Sequence, residues 1–302
     1  MAPPPLVPGA GHPIAGWEER RGAAGARAAR LTRAEVLAAA GGAAAGPLAL
    51  LVAVLRHQES VPAAGGAGAG PEAGAAARLD AGRYPLLGLD AAARPVVEGI
   101  PSAVAALCAS GVVPEPLVAA GTPLAAASEL ERMAMVDAWL EDPLTVDPVA
   151  GFWVGVAAGP VLERARAAIE APTREQWTGR ACPACGGLPQ VSVIAPESGE
   201  FMGGSPRSLV CGRCAGWWTF PRAVCAWCGE EDPRKVAPFV PEAGAARIDA
   251  CETCSAYVKT FDLRQPGGSV VVPLVDDVAT VTLDLWAREQ GLHRPVVSLA
   301  GV

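Results

Sequence analysis

Cys182-Pro-Ala-Cys185-Gly186, Cys211-Gly-Arg-Cys214, Cys225-Ala-Trp-Cys228-Gly229 and Cys251-Glu-Thr-Cys254 hold eight of the chain's nine cysteines inside residues 182–254, and only Cys108 stands elsewhere. Two thiolates separated by two residues can bind one metal ion from a single turn, and two such turns complete a tetrahedral four-sulfur site. Four turns therefore predict two metal ions per chain, held by Cys182, Cys185, Cys211, Cys214, Cys225, Cys228, Cys251 and Cys254.

The flanking residues say how the turns associate. Gly186 and Gly229 follow the first and third pairs, where positive φ lets backbone N–H groups face the sulfurs. The second and fourth pairs lack that glycine and carry an aromatic three residues on, Trp217 and Tyr257, with Phe220 and Phe261 a little further. The alternation reads as one unit of about thirty residues repeated twice. It pairs the first turn with the second and the third with the fourth; spacing alone leaves a nested arrangement open.

Upstream the texture is helical. The first sixteen residues hold five prolines and no Lys or Arg, which reads as a disordered leader rather than a secretory signal. Residues 17–172 form a helical domain. Its segments are an Arg/Ala-rich stretch over Glu18–Glu35, a helix from Pro47 to Gln58, patches near 93–110 and 113–127, and a last helix from Val149 to Ala171. Ser128-Glu-Leu-Glu131 has the capping-box form and opens a helix with Leu130, Met133, Val136 and Leu140 on one side. Leu37–Leu55 carries no charge over nineteen residues, long enough for a membrane span. Gly41, Gly42, Gly46 and Pro47 interrupt it, so it reads as a loop and a buried helix. Cys108, in the apolar run Val104-Ala-Ala-Leu-Cys108, reads as a packed thiol.

From 173 onward, short Val/Ile/Phe runs such as Gln190–Ala195 and Ala237–Val240 alternate with Gly/Pro turns, giving one lobe over 173–221 and a second over 222–302. Neither has enough apolar residues for its own core, so metal binding must supply folding energy. Chelation should open 181–302 to protease and leave 30–171 protected. The chain closes with a helix over Asp276–Gln290, whose leading Asp276 and Asp277 suit the helix dipole. The fold class is α+β: a helical domain, two metal-stapled lobes and a C-terminal helix.

Composition excludes several functions. Residues 181–302 hold ten Lys/Arg and thirteen Asp/Glu, and eight thiolates with two divalent ions lower that balance by four more. A nucleic-acid binder needs the opposite sign, so none is expected as partner. His12, His57 and His293 are scattered, filled four-sulfur sites have no open coordination position, and no catalytic residues are assigned: the chain is not expected to be an enzyme. With no signal or convincing span the chain should be cytoplasmic and not an integral membrane protein, and its thiols reduced. Four thiolates accept zinc or iron alike. An iron centre of this kind could also serve a one-electron carrier.

Longer stretches carry a resemblance. Arg30-Leu31, Arg56-His-Gln58, Cys182 through Ile194, Arg207 through Trp218, Arg222 through Gly229, Cys251 through Phe261, Asp276-Asp-Val-Ala-Thr280 and Leu283-Asp-Leu285 together resemble the formate dehydrogenase accessory proteins. The resemblance implies tandem rubredoxin-like (zinc-ribbon-like) lobes binding iron. It also implies a non-enzymatic assembly role, a chaperone of formate dehydrogenase maturation that contacts the catalytic subunit in the cytoplasm. Trp217, Trp218 and Tyr257 are candidate contacts, because aromatics are enriched at interface hot spots; packing against the metal turns is their other use.

Overall fold

The structure, a computed structural model, describes residues 23–62, 70–195, 205–242, 244–264 and 270–301. The proline-rich opening and His12 lie outside them, as does much of the loop near 62–76.

Alanine-rich sequence gives the amino-terminal half, which is helical even where Pro95, Pro101, Pro123 and Pro160 fall inside helices. Helices α1 (Ala23–Ala40) and α2 (Ala45–Ser60) form a hairpin around Gly41 and Gly42, with Pro47 tolerated in the first turn of α2. The uncharged run 37–55 is therefore the end of one helix, a turn and most of another. Then come α3 (Ala75–Asp80), α4 (Leu89–Ala109), α5 (Glu115–Ala126), α6 (Glu129–Glu141) and α7 (Pro148–Ala167). The capping box forms: Glu131 N–H donates to Ser128 Oγ at 3.3 Å, and Ser128 N–H donates to Glu131 Oε2 at 2.8 Å. In α7, Asp147 caps the start and Arg164 and Arg166 occupy the last turn, where cations suit the dipole; the helix ends four residues short of the expected Ala171.

The apolar stripes meet in one core. Val96, Ile100, Ala103 and Leu107 of α4 pack against Trp153, Ala158 and Leu162 of α7 and Val136 and Trp139 of α6. Among the described residues, α4 is the one helix long and apolar enough to cross a membrane, and this packing takes up its apolar face. Leu130 departs from expectation. It is 80% exposed, because the buried stripe of α6 starts two turns later and runs Val136, Trp139, Leu140.

The carboxy-terminal half forms a single sheet. Strands β1 (Pro189–Ile194), β2 (Arg207–Cys211) and β3 (Trp217–Thr219) belong to the first lobe, and β4 (Val236–Phe239), β5 (Ala246–Cys251) and β6 (Tyr257–Asp262) to the second. Their order is β3-β2-β1-β6-β5-β4, antiparallel within each lobe. The seam is the parallel β1–β6 pair, with Val191 opposite Lys259 and Val193 opposite Phe261. The two lobes are thus fused edge to edge.

The closing helix differs from the single segment expected. It is two helices, α8 (Pro273–Ala279) and α9 (Val281–Glu289), broken at Thr280, whose hydroxyl donates back to Asp276 O at 2.8 Å. Asp276 does sit in the first turn of α8, accepting from Val272 N–H at 2.7 Å and pairing with Arg33 of α1 at 2.6 Å. The dipole account does not cover Asp277. That carboxylate is buried with Asp284, and the pair is neutralised by Lys259 (3.0 and 2.6 Å) and Arg294 (2.7 and 3.1 Å). Buried charges persist only when paired in this way. Val272, just before α8, and Val275 and Val278 within it then pack on Ala34, Leu48, Leu51 and Leu55, returning this segment to the first hairpin.

Candidate metal centres

All four Cys-x-x-Cys segments adopt one local conformation. The first cysteine's N–H donates to the carbonyl five residues on: Cys182 to Gly187 at 2.7 Å, and Cys211 to Gly216, Cys225 to Glu230 and Cys251 to Ala256 at 2.9 Å each. The residue after the second cysteine has positive φ throughout: Gly186 (71°), Ala215 (52°), Gly229 (82°) and Ser255 (55°). The glycines marked two of these positions in the sequence. Ala215 and Ser255 hold the same backbone at a cost of about 1–2 kcal/mol each by the usual penalty for a side chain there, so the turn geometry is imposed rather than chosen locally. The strands that follow and precede the turns hold them in place: β2 runs into Cys211 and β5 into Cys251.

The sulfurs converge in two groups. Cys182, Cys185, Cys211 and Cys214 form one, and Cys225, Cys228, Cys251 and Cys254 the other, each with its Sγ atoms within 4.8 Å of one another. This is the sequential pairing that the alternation of flanks suggested. Cross-turn Sγ–Sγ distances are 3.6 Å twice in the first and 3.9 and 3.7 Å in the second. A tetrahedron of thiolates about 2.3 Å from a central ion has edges of about 3.8 Å, so both groups could hold a metal ion. The chemistry of the donors fits as well. Without a cation, burial pushes the Cys182 thiol well above the ordinary thiol range and Cys254 up to about 12. A divalent ion reverses that preference, since coordination holds thiols deprotonated. Backbone N–H groups add to it: Arg213 N–H points at Cys211 Sγ (3.3 Å), and Trp227 and Cys228 N–H at Cys225 Sγ (3.4 Å each).

The surroundings of the two groups differ. The first belongs to the main core: Cys182, Cys185, Cys211 and Cys214 are at most 2% exposed and pack with Leu209, Trp218 and the residues of α4, α6 and α7. Its turns are bonded to the helical half. Leu86 and Leu87 N–H donate to Pro183 and Ala184 carbonyls at 2.9 Å. Arg213, inside the second turn, donates to Trp139 and Leu140 carbonyls at 2.8 and 3.0 Å, capping the end of α6, with its guanidinium 4.4 Å from the Trp139 ring. A Cβ on Gly187 would lie 2.9 Å from Cys211 Sγ, so the approach leaves no room for a side chain. None of the second group's sulfurs belongs to that core, which reaches this lobe through Ala226 of the third turn; Cys225 and Cys251 are buried, Cys254 half-buried and Cys228 exposed.

Arg207 connects the two lobes, a role the sequence did not flag. From β2 it donates to Ser192 Oγ (2.8 Å) and to the carbonyls of Pro221 and Val224, next to Cys225, and it lies 4.0 Å from Asp249 of β5.

The aromatic candidates are mostly interior. Trp218 is buried and donates to Gly179 O at 3.1 Å, and Tyr257 is buried with its hydroxyl on Asp284 at 2.8 Å. Each ring fills core and satisfies its polar atom, so neither offers a surface; Trp217 is partly buried against the Val191 and Phe261 cluster. His57 is buried in α2, where desolvation holds it below the usual imidazole range, and His293 bridges the fourth turn through its backbone. Cys108 packs partly buried against the main core.

The family model described as "FdhE, C-terminal domain" matches residues 225–300, which span the second sulfur group and α8–α9. A protein FdhE homolog of Aquifex aeolicus is 32% identical over 162 residues, 53% of this chain and 55% of that protein. One from Haemophilus influenzae is 31% identical over 114 residues, 37% of this chain and 35% of that one. The matches thus span about half the length, or less, of these curated relatives. The crystal structure of the FdhE protein from Pseudomonas aeruginosa shares the fold, with a TM-score of 0.63 at 23% identity over 94% of this chain and 96% of that one.

Proposed function

We propose that this chain, similar to FdhE proteins in sequence and fold, is a member of that family and serves as an accessory protein to formate dehydrogenase that acts by contact rather than turnover. In this reading the protein binds the enzyme's catalytic subunit during maturation in the cytoplasm. Each four-cysteine group holds one metal ion, iron in the native protein, through Cys182, Cys185, Cys211 and Cys214 and through Cys225, Cys228, Cys251 and Cys254. The ions supply structural cross-links; this chain's own residues supply the rest, Arg213 seating the first centre on α6 and Arg207 tying the first lobe to the second.

The observation that carries the reading is where the family match falls: residues 225–300 cover the second sulfur group together with α8 and α9. The closed character of the first group supports a non-catalytic ion there, because four buried thiolates leave no position for substrate. The exposure of Cys228 favours one second reading, a one-electron carrier with an iron centre near the surface. Deletion and rescue separates the two. A strain lacking the gene should retain formate dehydrogenase polypeptides and lose the activity, and the cysteine variants should fail to restore it. Normal formate dehydrogenase activity in that strain would sink the accessory role.

A further inference from the structure

The two sulfur groups share a backbone conformation but not a boundary. Around the first, every sulfur is sealed by the core that also holds α4, α6 and α7, so no incoming ligand can reach it without opening that core. Around the second, Cys228 is exposed and Cys254 half-buried. Beside it lies a partly open pocket of about 20 Å³, lined by Cys225, Cys251, Arg207 and Asp249, with room for one water. On the rim, Thr253 Oγ1 donates to Glu230 Oε2 at 2.5 Å, with Lys235 3.5 Å from the same carboxylate. Thr253 precedes Cys254 and Glu230 follows Cys228 by two, so this contact joins the third turn to the fourth across their exposed edge. In the first group the position matching Glu230 is Gly187, where packing against Cys211 leaves no space for a side chain.

We propose that the second group is the exchangeable centre, open along its Cys228 and Cys254 edge to an incoming soft ligand, a free thiol or a thiophilic cation, with the Thr253–Glu230 hydrogen bond as the clasp across that edge. The first is locked. The inference rests on the reading that both groups hold metal. Ligand exchange at a filled thiolate site needs access to a sulfur or the ion, and local openings near the surface occur far more often than opening of a core.

The test uses the full chain loaded with zinc and treated with iodoacetamide, in which a ligating sulfur displaces iodide to form a thioether. Released zinc is followed by a chromogenic chelator, alkylated cysteines by peptide mass mapping, and backbone opening by hydrogen exchange. One ion should leave at least about tenfold faster than the other, with Cys228 alkylated first, Cys254 next, and Cys182, Cys185, Cys211 and Cys214 last. T253V, at an exposed position that is no ligand, should speed that first release and leave the second unchanged. Two ions leaving together, or first-group sulfurs reacting first, would overturn the proposal. So would amide exchange throughout β5 and β6 preceding alkylation, because the route would then be unfolding. An unaltered rate in T253V would remove the clasp. A chain that takes up fewer than two ions would instead overturn the metal reading beneath the proposal, and metal analysis before treatment tells these failures apart.

Discussion

The first and second sulfur groups are built from the same turn, with the same five-residue hydrogen bond and the same positive-φ residue, yet one is core and the other rim. The difference arises outside the turns. Arg213 inserts into the end of α6, the Pro183 and Ala184 carbonyls accept from the 86–87 segment, and Gly187 lets the turn close on Cys211. The third and fourth turns carry Ala226, Trp227, Glu252 and Thr253 at the corresponding places; Ala226 touches the main core and Arg180 donates to the Trp227 carbonyl, but among the described residues no hydrogen bond joins these turns to α1–α7. A local motif thus brings four sulfurs together, and its neighbours decide whether an ion held there would brace one lobe or the whole molecule.

The largest expected effect comes from removing both ions with a strong chelator. Structural thiolate sites contribute on the order of 10 kcal/mol to the folding of small domains. Because the first group shares its core with α4 and α7, limited proteolysis should then find new cuts at Arg94, Arg132 and Arg164 as well as in 205–301. This departs from the protection of 30–171 that composition suggested. If cuts stayed within the carboxy-terminal half, the shared core would not be a cooperative unit.

K259M comes next. It leaves Arg294 as the one cation paired with buried Asp277 and Asp284 among the described residues, and breaking a buried pair costs about 3–5 kcal/mol. Lys259 sits in β6 opposite Val191 of β1, so the loss should loosen the seam between lobes. Chemical denaturation would show it, and a change below 1 kcal/mol would mean that the lobes do not rely on this network. G187A should cost about 1–3 kcal/mol by overpacking against Cys211 and Arg213. The matching E230A should leave the melting temperature of the helical half unchanged. Equal shifts would erase the contrast between the two centres. The smallest effect is S128A, about 1 kcal/mol from the lost cap of α6. Metal content should stay at the wild-type value, since that change touches neither centre.

Much of this was legible in the sequence. The cysteine sets follow from spacing and the alternation of Gly186 and Gly229 with Trp217 and Tyr257. The capping box was visible at Ser128 and Glu131, and Pro47 marked the start of α2. What was not legible depends on distant pairing. Nothing local in Val191 or Lys259 announces that β1 and β6 lie side by side, so the single sheet stayed hidden. Asp277 looked like a dipole partner because Lys259 and Arg294, which neutralise it, lie 18 and 17 residues away. Trp218 and Tyr257 stood between contact and packing for the same reason: burial is a property of the packed whole. Ala215 and Ser255 gave no sign of their positive φ, which neither residue type favours.

The most direct test compares hydrogen exchange in C182S and C254S, each confirmed by metal analysis to retain one ion. The account predicts that C182S loses amide protection in α4 and α7 as well as in β2, whereas C254S keeps α4 and α7 at wild-type protection and loses it only around β5 and the third and fourth turns. Equal loss of protection in α4 and α7 for the two variants, or wild-type protection there in both, would contradict the claim that one centre belongs to the core and the other to the rim.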